Sequence, residues 1–221
     1  MVKRHIYIFR HGQSTYNRDH KFTGWIDARL TKRGIADARK IARKLKDKKF
    51  QVAYHSSLTR SKDTLKQVLK YHPECTNIIM DNRIIERNYG DVSGKTHEWF
   101  VEESGEEDYK TLLHWHKIDH LNGREREQFV KEVGEAELQI VRRSYSIPPP
   151  GGESVKDVEK RVNSFIRDLI NMIKKEKVNV AISAHGNSMR PFRKHFEKLT
   201  TEQMMKLENP WDDYFDYAVD V

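Results

Sequence analysis

Cysteine is almost absent: Cys75 stands alone among 221 residues. One thiol closes no intramolecular disulfide and builds no Cys-rich zinc site, so a disulfide scaffold is excluded and a reducing compartment is indicated. Long apolar runs are missing as well, and without about 18 consecutive apolar residues no membrane-spanning helix is expected. Met1-Val-Lys-Arg-His-Ile-Tyr-Ile-Phe9 enters strand-like residues directly, without the pattern of a secretory signal, which makes the cytoplasm the expected location. Apolar residues are scarce at 37%, yet the length suffices for one domain, residues 1–221, with a sizeable core.

Charge is abundant and unevenly spread. The net charge is +8, but residues 1–70 carry 19 basic against 5 acidic side chains, while residues 95–137 carry 6 against 12. Much of the basic charge falls on one helical pattern, Lys32 to Lys49, which reads as a solvated outer face. Nucleic acid is therefore not the expected partner, and small anions fit the basic half better.

Strand and helix patterns alternate. His5–Phe9 reads as a buried strand running into the polar turn Arg10-His-Gly-Gln-Ser14. Thr31 caps a helical pattern carrying Ile35, Ala38, Ile41, Ala42 and Leu45, and Gln51–Tyr54 reads as the next strand. A helix from Leu58 to Tyr71 leads to a third apolar strand, Asn77–Met80. A charged, partly helical acidic excursion at about 95–137 then interrupts the alternation, before the break Ile147-Pro-Pro-Pro150-Gly-Gly152. Trp99, Phe100, Tyr109 and Trp115 are expected to bury this excursion against the rest. Ser154-Val-Lys-Asp157 forms a capping-box pattern for a helix with an apolar stripe from Val155 to Ile173. Val178–Ala184 is a further buried strand, Met189–Leu199 a helix with Pro191 in its first turn, and Phe215–Val221 a half-buried edge strand. The pattern predicts an α/β fold, a three-layer α/β/α sandwich on a mostly parallel sheet, with ligands at the carboxyl ends of strands.

Two of those ends carry the same dipeptide: Arg10-His11-Gly12 and Ala184-His185-Gly186. A sheet that brings them together makes a pocket of two imidazoles, with Arg10 and Arg60 supplying positive charge. Such a set suits a phosphoryl group, because guanidiniums neutralise its oxygens while a free imidazole nitrogen attacks phosphorus. His116 and His120 share helical spacing, but with no sure third ligand no metal site is expected.

Arg10-His-Gly-Gln-Ser-Thr-Tyr-Asn17 resembles the phosphohistidine signature of the histidine phosphatase superfamily, and Phe22-Thr-Gly-Trp25 is similar to its cofactor-dependent phosphoglycerate mutase branch. Further matches follow in order: Leu30-Thr-Lys-Arg-Gly34, Val52-Ala-Tyr-His-Ser56 with Arg60, Glu86-Arg-Asn-Tyr-Gly90, Val141-Arg-Arg-Ser-Tyr-Ser-Ile-Pro-Pro-Pro150, Gly152-Glu-Ser154 and Ala184-His-Gly-Asn-Ser188. The resemblance implies a phosphoglycerate mutase-like fold and interconversion of 3-phosphoglycerate and 2-phosphoglycerate, an isomerase step of glycolysis and gluconeogenesis. It implies 2,3-bisphosphoglycerate as phosphoryl primer, no metal, and a small phosphorylated carboxylic acid as substrate. By the same carry-over His11 is transiently phosphorylated, Arg10, Arg60 and His185 hold the moving group, and Glu86 gives and takes the proton. Ser14, Asn17, Thr23, Gly24, Arg87, Tyr89, Lys95, Arg142, Arg143, Gly186 and Asn187 fall on substrate-binding positions. Relatives are often dimers or tetramers, which leaves a homo-oligomer open.

The chain also departs from that pattern. Gln13 replaces a glutamate and Asn88 a histidine, and the acidic excursion is extra, a lid or contact surface. The family's binding lysine is matched by Lys95 counting forward from Tyr89-Gly90, and by Arg126 counting back from Arg142-Arg143; Lys95 is preferred. The chain stops at Val221 soon after Asn209-Pro210, without the tail that covers the site in many relatives, so poorer exclusion of water is expected. Hydrolysis by a metal-independent phosphomonoesterase, or a bisphosphoglycerate phosphatase, is the alternative on the same scaffold. A basic nucleic-acid-binding module is the remote one.

Overall fold

The computed structural model describes residues 2–115 and 117–221; His116, half of the histidine pair noted above, lies outside them. Strands and helices follow in the order β1 (Lys3–Arg10), α1 (Thr15–Arg18), α2 (Lys32–Leu45), β2 (Val52–His55), α3 (Thr59–Leu69), β3 (Asn77–Met80), α4 (His97–His114), α5 (Gly123–Arg143), α6 (Val155–Glu176), β4 (Val180–Ala184), α7 (Gly186–Glu197), α8 (Thr201–Lys206) and β5 (Tyr214–Asp220). The strands form a sheet in the order β3-β2-β4-β1-β5, parallel except for β5. Among the described residues no helix is long and apolar enough to cross a membrane.

Alternation along the strands divides the core. Ile6 and Ile8 of β1 join Val162, Phe165, Met189 and Phe192 of α6 and α7 on one face, while Tyr7 and Phe9 meet Ile41, Leu45, Leu65 and Val68 of α2 and α3 on the other. The three-layer sandwich follows from this. The chain leaves β1 through α2 toward β2 on one side, and leaves β4 through α7 and α8 toward β5 on the other. Neighbouring strands whose connections depart in opposite directions open a crevice between their carboxyl ends, where ligands bind in such sheets.

Three sequence readings need correction. Helix α7 begins at Gly186, not Met189, because the His185 N–H donates to Ser188 Oγ (3.2 Å) and the helix starts directly at the strand end. Pro191 is thus the sixth residue, where it forgoes one helical hydrogen bond. β3 has the expected bounds but is the sheet's edge, leaving Ile78 and Met80 48% and 59% exposed. In the excursion, Phe100 and Tyr109 are buried as expected, whereas Trp115 is 67% exposed and Trp99 is also at the surface. The excursion is a pair of helices, α4 and α5, in close contact; a Cβ on Gly105 or Gly134 would lie 1.9 Å from a carbonyl oxygen of the facing helix. Its base packs Phe100, Leu138 and Val141 on Phe22 and Val92, so both of its ends reach the crevice.

The turn after β1 is pressed onto the start of α2. A Cβ on Gly12 would lie 2.1 Å from Gly34 O, and one on Gly34 would lie 2.0 Å from Gln13 O, so the two backbones approach too closely for a side chain at either position. Gly34→Ala is expected to destabilise the chain by about 2 kcal/mol, an overpacking cost. A urea midpoint equal to that of the parent would contradict this.

Candidate active site

β1 and β4 are paired in register, Arg10 opposite Ala184, and the His11 N–H donates to Ala184 O (3.1 Å). His11 and His185 therefore leave the sheet side by side, their rings 4.9 Å apart and inclined by 59°. Both are buried. His11 Nδ1 donates to Gly12 O (2.7 Å), an oxygen that can only accept, which fixes the tautomer and leaves a lone pair on Nε2. Arg60 Nε donates to that Nε2 (3.3 Å), while its other nitrogens donate to Ile26 O (2.8 Å) and Gly24 O (2.7 Å). The guanidinium is thereby locked in place against that nitrogen.

His185 is oriented from the other side. Ser56 Oγ lies 2.7 Å from His185 Nε2 and accepts from the Leu58 N–H (3.3 Å). A hydroxyl can donate to Nε2 or accept from it, so the contact holds the ring without choosing its tautomer, and Nδ1 is a buried atom without a partner. Arg10 Nε is likewise buried and unpartnered, although Arg10 Nη1 donates to Asn209 O (3.2 Å). Two unpartnered buried nitrogens, one of them a guanidinium donor, beside the His11 ring suit the oxygens of an anion.

Glu86 completes the cluster. One of its oxygens accepts from the N–H groups of Arg87 (2.7 Å) and Asn187 (3.1 Å), and its main-chain oxygen accepts from Trp25 Nε1 (2.8 Å). Ligand atoms of His11, Glu86 and His185 all lie within 4.8 Å of one another, close enough to reach a common metal ion. Arg10 and Arg60 stand against that use, because two fixed positive charges repel a cation and attract an anion.

An open cavity of about 340 Å³ leads to this cluster. Asn17, Thr23 and Gly24 line it from the segment after β1, Tyr89 from the loop after Glu86, Arg142 and Arg143 from the end of α5, and Gly186 and Asn187 from the start of α7. The structure sets three expected residues elsewhere. Ser14 is buried as the N-cap of α1, and Arg87 is buried in hydrogen bonds to the oxygens of Glu153 and Val141. Lys95 is exposed, its ammonium 4.6 Å from the ring centre of Trp99, and its competitor Arg126 pairs with Glu106. The lysine in the cavity wall is Lys21. Gln13 and Asn88, the two departures, serve local turns through Thr31 and the Gly90 N–H.

The wall also holds His97, Arg190, Glu208 and Trp211, which the sequence reading missed. Arg190 is one helical turn beyond Gly186, so the corrected start of α7 puts it on the same face. Burial, followed by the nearby guanidiniums of Arg60 and Arg10, holds His11 well below the usual histidine range. His185 is lowered in the same way, by burial and then Arg60, and His97 is pushed down to about 4 by burial and then Arg142. Burial lowers Arg60 too, to about 10, which still leaves it charged. Neutral imidazoles among charged guanidiniums are the outcome at pH 7.

The sequence matches the profile of the histidine phosphatase superfamily, branch 1, over residues 6–144 and 117–212. It is 35% identical over 207 residues to a 2,3-bisphosphoglycerate-dependent phosphoglycerate mutase of Parvibaculum lavamentivorans, covering 91% of this chain and 84% of that one. The chain belongs to the histidine phosphatase superfamily. Another protein of the same mutase name, from Brucella melitensis, is 34% identical over 94% of this chain and 88% of its own. Solved structures of superfamily fold include a mycobacterial glucosyl-3-phosphoglycerate phosphatase, with a TM-score of 0.70 and 21% identity over 97% of this chain and 90% of that one. An Escherichia coli protein described as a putative alpha-ribazole-5'-P phosphatase superposes with a TM-score of 0.73 at 17% identity, over 98% and 91% of the two chains. These last two share the fold.

The depressed histidines of this superfamily member make its stability depend on pH. Below the ordinary value of 6.5, the unfolded chain takes up protons that buried His11 and His185 refuse, so stability falls as pH drops from about 6.5 toward their folded values. Each can contribute up to about 1.4 kcal/mol per pH unit in that window and nothing above it. Urea unfolding at pH 7.5, 6.0 and 5.0 is expected to show the decline, reduced in His185→Gln. Equal pH slopes for parent and variant would count against neutral burial.

Proposed function

We propose that the protein interconverts 3-phosphoglycerate and 2-phosphoglycerate by way of a phosphoryl group carried on His11 Nε2. The observation that carries this reading is a neutral His11 with Nδ1 pinned, set among Arg10, Arg60 and His185 at the foot of a cavity whose wall also bears Arg142, Arg143 and Arg190. A single phosphate needs only the first set of charges. The additional arginines suit a second anionic group, so that a bisphosphate or a phosphorylated acid can be held at both ends. The relatives named as 2,3-bisphosphoglycerate-dependent mutases support the choice.

2,3-Bisphosphoglycerate, when bound, supplies the phosphoryl group that primes His11. Arg10 Nε, a buried donor without a partner, and His185 Nδ1, which donates when it bears the ring hydrogen, fit its oxygens, and Arg60, held beside Nε2, supplies positive charge there. For transfer, the substrate's hydroxyl oxygen bonds to phosphorus as the P–N bond to His11 breaks, and Glu86 takes the hydroxyl proton. Return of a phosphoryl to His11 runs the same residues backwards, with Glu86 giving the proton back. The guanidiniums and the ring N–H supply the charge stabilisation. The soluble intermediates of this reaction agree with a cytoplasmic location.

Hydrolysis is the competing reading, and it uses the same residues with water as acceptor; the phosphatase names of the structural neighbours keep it in view. Phosphorus NMR of 3-phosphoglycerate with a trace of 2,3-bisphosphoglycerate and excess chelator separates the two. Growth of the 2-phosphoglycerate signal is expected, whereas free phosphate alone would make the protein a phosphatase. His11→Ala is expected to abolish both signals. Glu86→Gln is expected to slow turnover by about 10²- to 10⁴-fold, the range for a lost general acid or base.

A further inference from the structure

The cavity wall contains two carboxylates, and the proposed reaction employs only Glu86. The other, Glu208, projects from a backbone segment held by its neighbours. Its main-chain oxygen accepts from Arg193 (2.9 Å), and the next residue, Asn209, accepts from Arg10 (3.2 Å) and donates to Gly186 O (2.9 Å). From that anchored segment the Glu208 carboxylate accepts from Arg143 Nη2 (3.0 Å). The pair sits at the mouth, with side chains 76% and 39% exposed, and can exchange partners without unpacking the core. Glu208 is also an electrostatic neighbour of Arg10 and Arg190.

An anion reaching Arg143 must displace that carboxylate or lie beside it, and either is unfavourable. We propose that Glu208 is a specificity-determining residue, a resident carboxylate that competes with the far anionic end of the ligand for Arg143. It weakens retention of a bisphosphate relative to a single phosphate and shifts the outcome from isomerisation toward hydrolysis. The second consequence rests on the mutase reading; the first does not.

The binding test uses the full chain with His11→Ala, which prevents turnover, with and without Glu208→Gln. By calorimetry, Glu208→Gln is expected to tighten 2,3-bisphosphoglycerate about two- to fivefold, the scale of an exposed ion pair, and to leave inorganic phosphate unchanged. Adding Arg143→Gln is expected to erase the gain. No tightening, equal tightening of inorganic phosphate, or a gain that survives Arg143→Gln would each overturn the proposal. In the otherwise unmodified chain, Glu208→Gln is expected to raise 2-phosphoglycerate formed per phosphate released by a similar factor. If neither form makes 2-phosphoglycerate, the mutase reading fails, while the two binding constants still decide the role of Glu208.

Discussion

Two imidazoles, 4.9 Å apart and out of water beside two guanidiniums, cannot readily take up protons. Much of the site is arranged around that constraint. In-register pairing of β1 with β4 creates the proximity, and the opposite departures of their connections leave the crevice open above it. Gly12 O then fixes the His11 hydrogen on Nδ1, and Ser56 Oγ holds the Nε2 of His185. The result is one ring whose Nε2 lone pair meets Arg60 and another whose Nδ1 is left without a partner, from the same residue type in the same strand-end position.

The surrounding charge works in the same direction. Arg60 and Arg190 are buried and Arg10 partly so, and burial lowers all three while leaving positive charge concentrated where water is scarce. A site of this kind gains by taking up an anion, and the cavity wall continues the positive charge outward through Arg142, Arg143 and Lys21. The helical excursion supplies part of that wall from its two roots, His97 and Arg142-Arg143, with its apolar base anchored on Phe22. Its role near the site is carried by those ends.

The strand ends and their histidines were legible in the sequence because a buried apolar run followed by His-Gly has a local signature. Arg10 and Arg60 read as charge for the same pocket, Glu86 enters only through the ordered motifs, and the structure brings the three into one cluster. What failed was whatever depends on neighbours distant in sequence. Ile78 and Met80 look like core residues until the sheet order makes β3 an edge. Lys95 has the right distance from Tyr89-Gly90, but its ammonium lies over the Trp99 ring, and Lys21 from a different loop faces the cavity. Arg190 shares a face with Gly186 only because α7 starts at Gly186 rather than Met189. Glu208 and Trp211 lie on an irregular segment that carries no periodicity to betray which way it faces.

The central claim is that His11 Nε2 carries the phosphoryl group, and its most direct test is chemical. Brief exposure of the protein to 2,3-bisphosphoglycerate, followed by digestion at neutral or alkaline pH and mass spectrometry, is expected to find one acid-labile phosphoryl group, on the peptide containing His11. A phosphoryl group on His185 or on a serine, or none at all, would contradict the account.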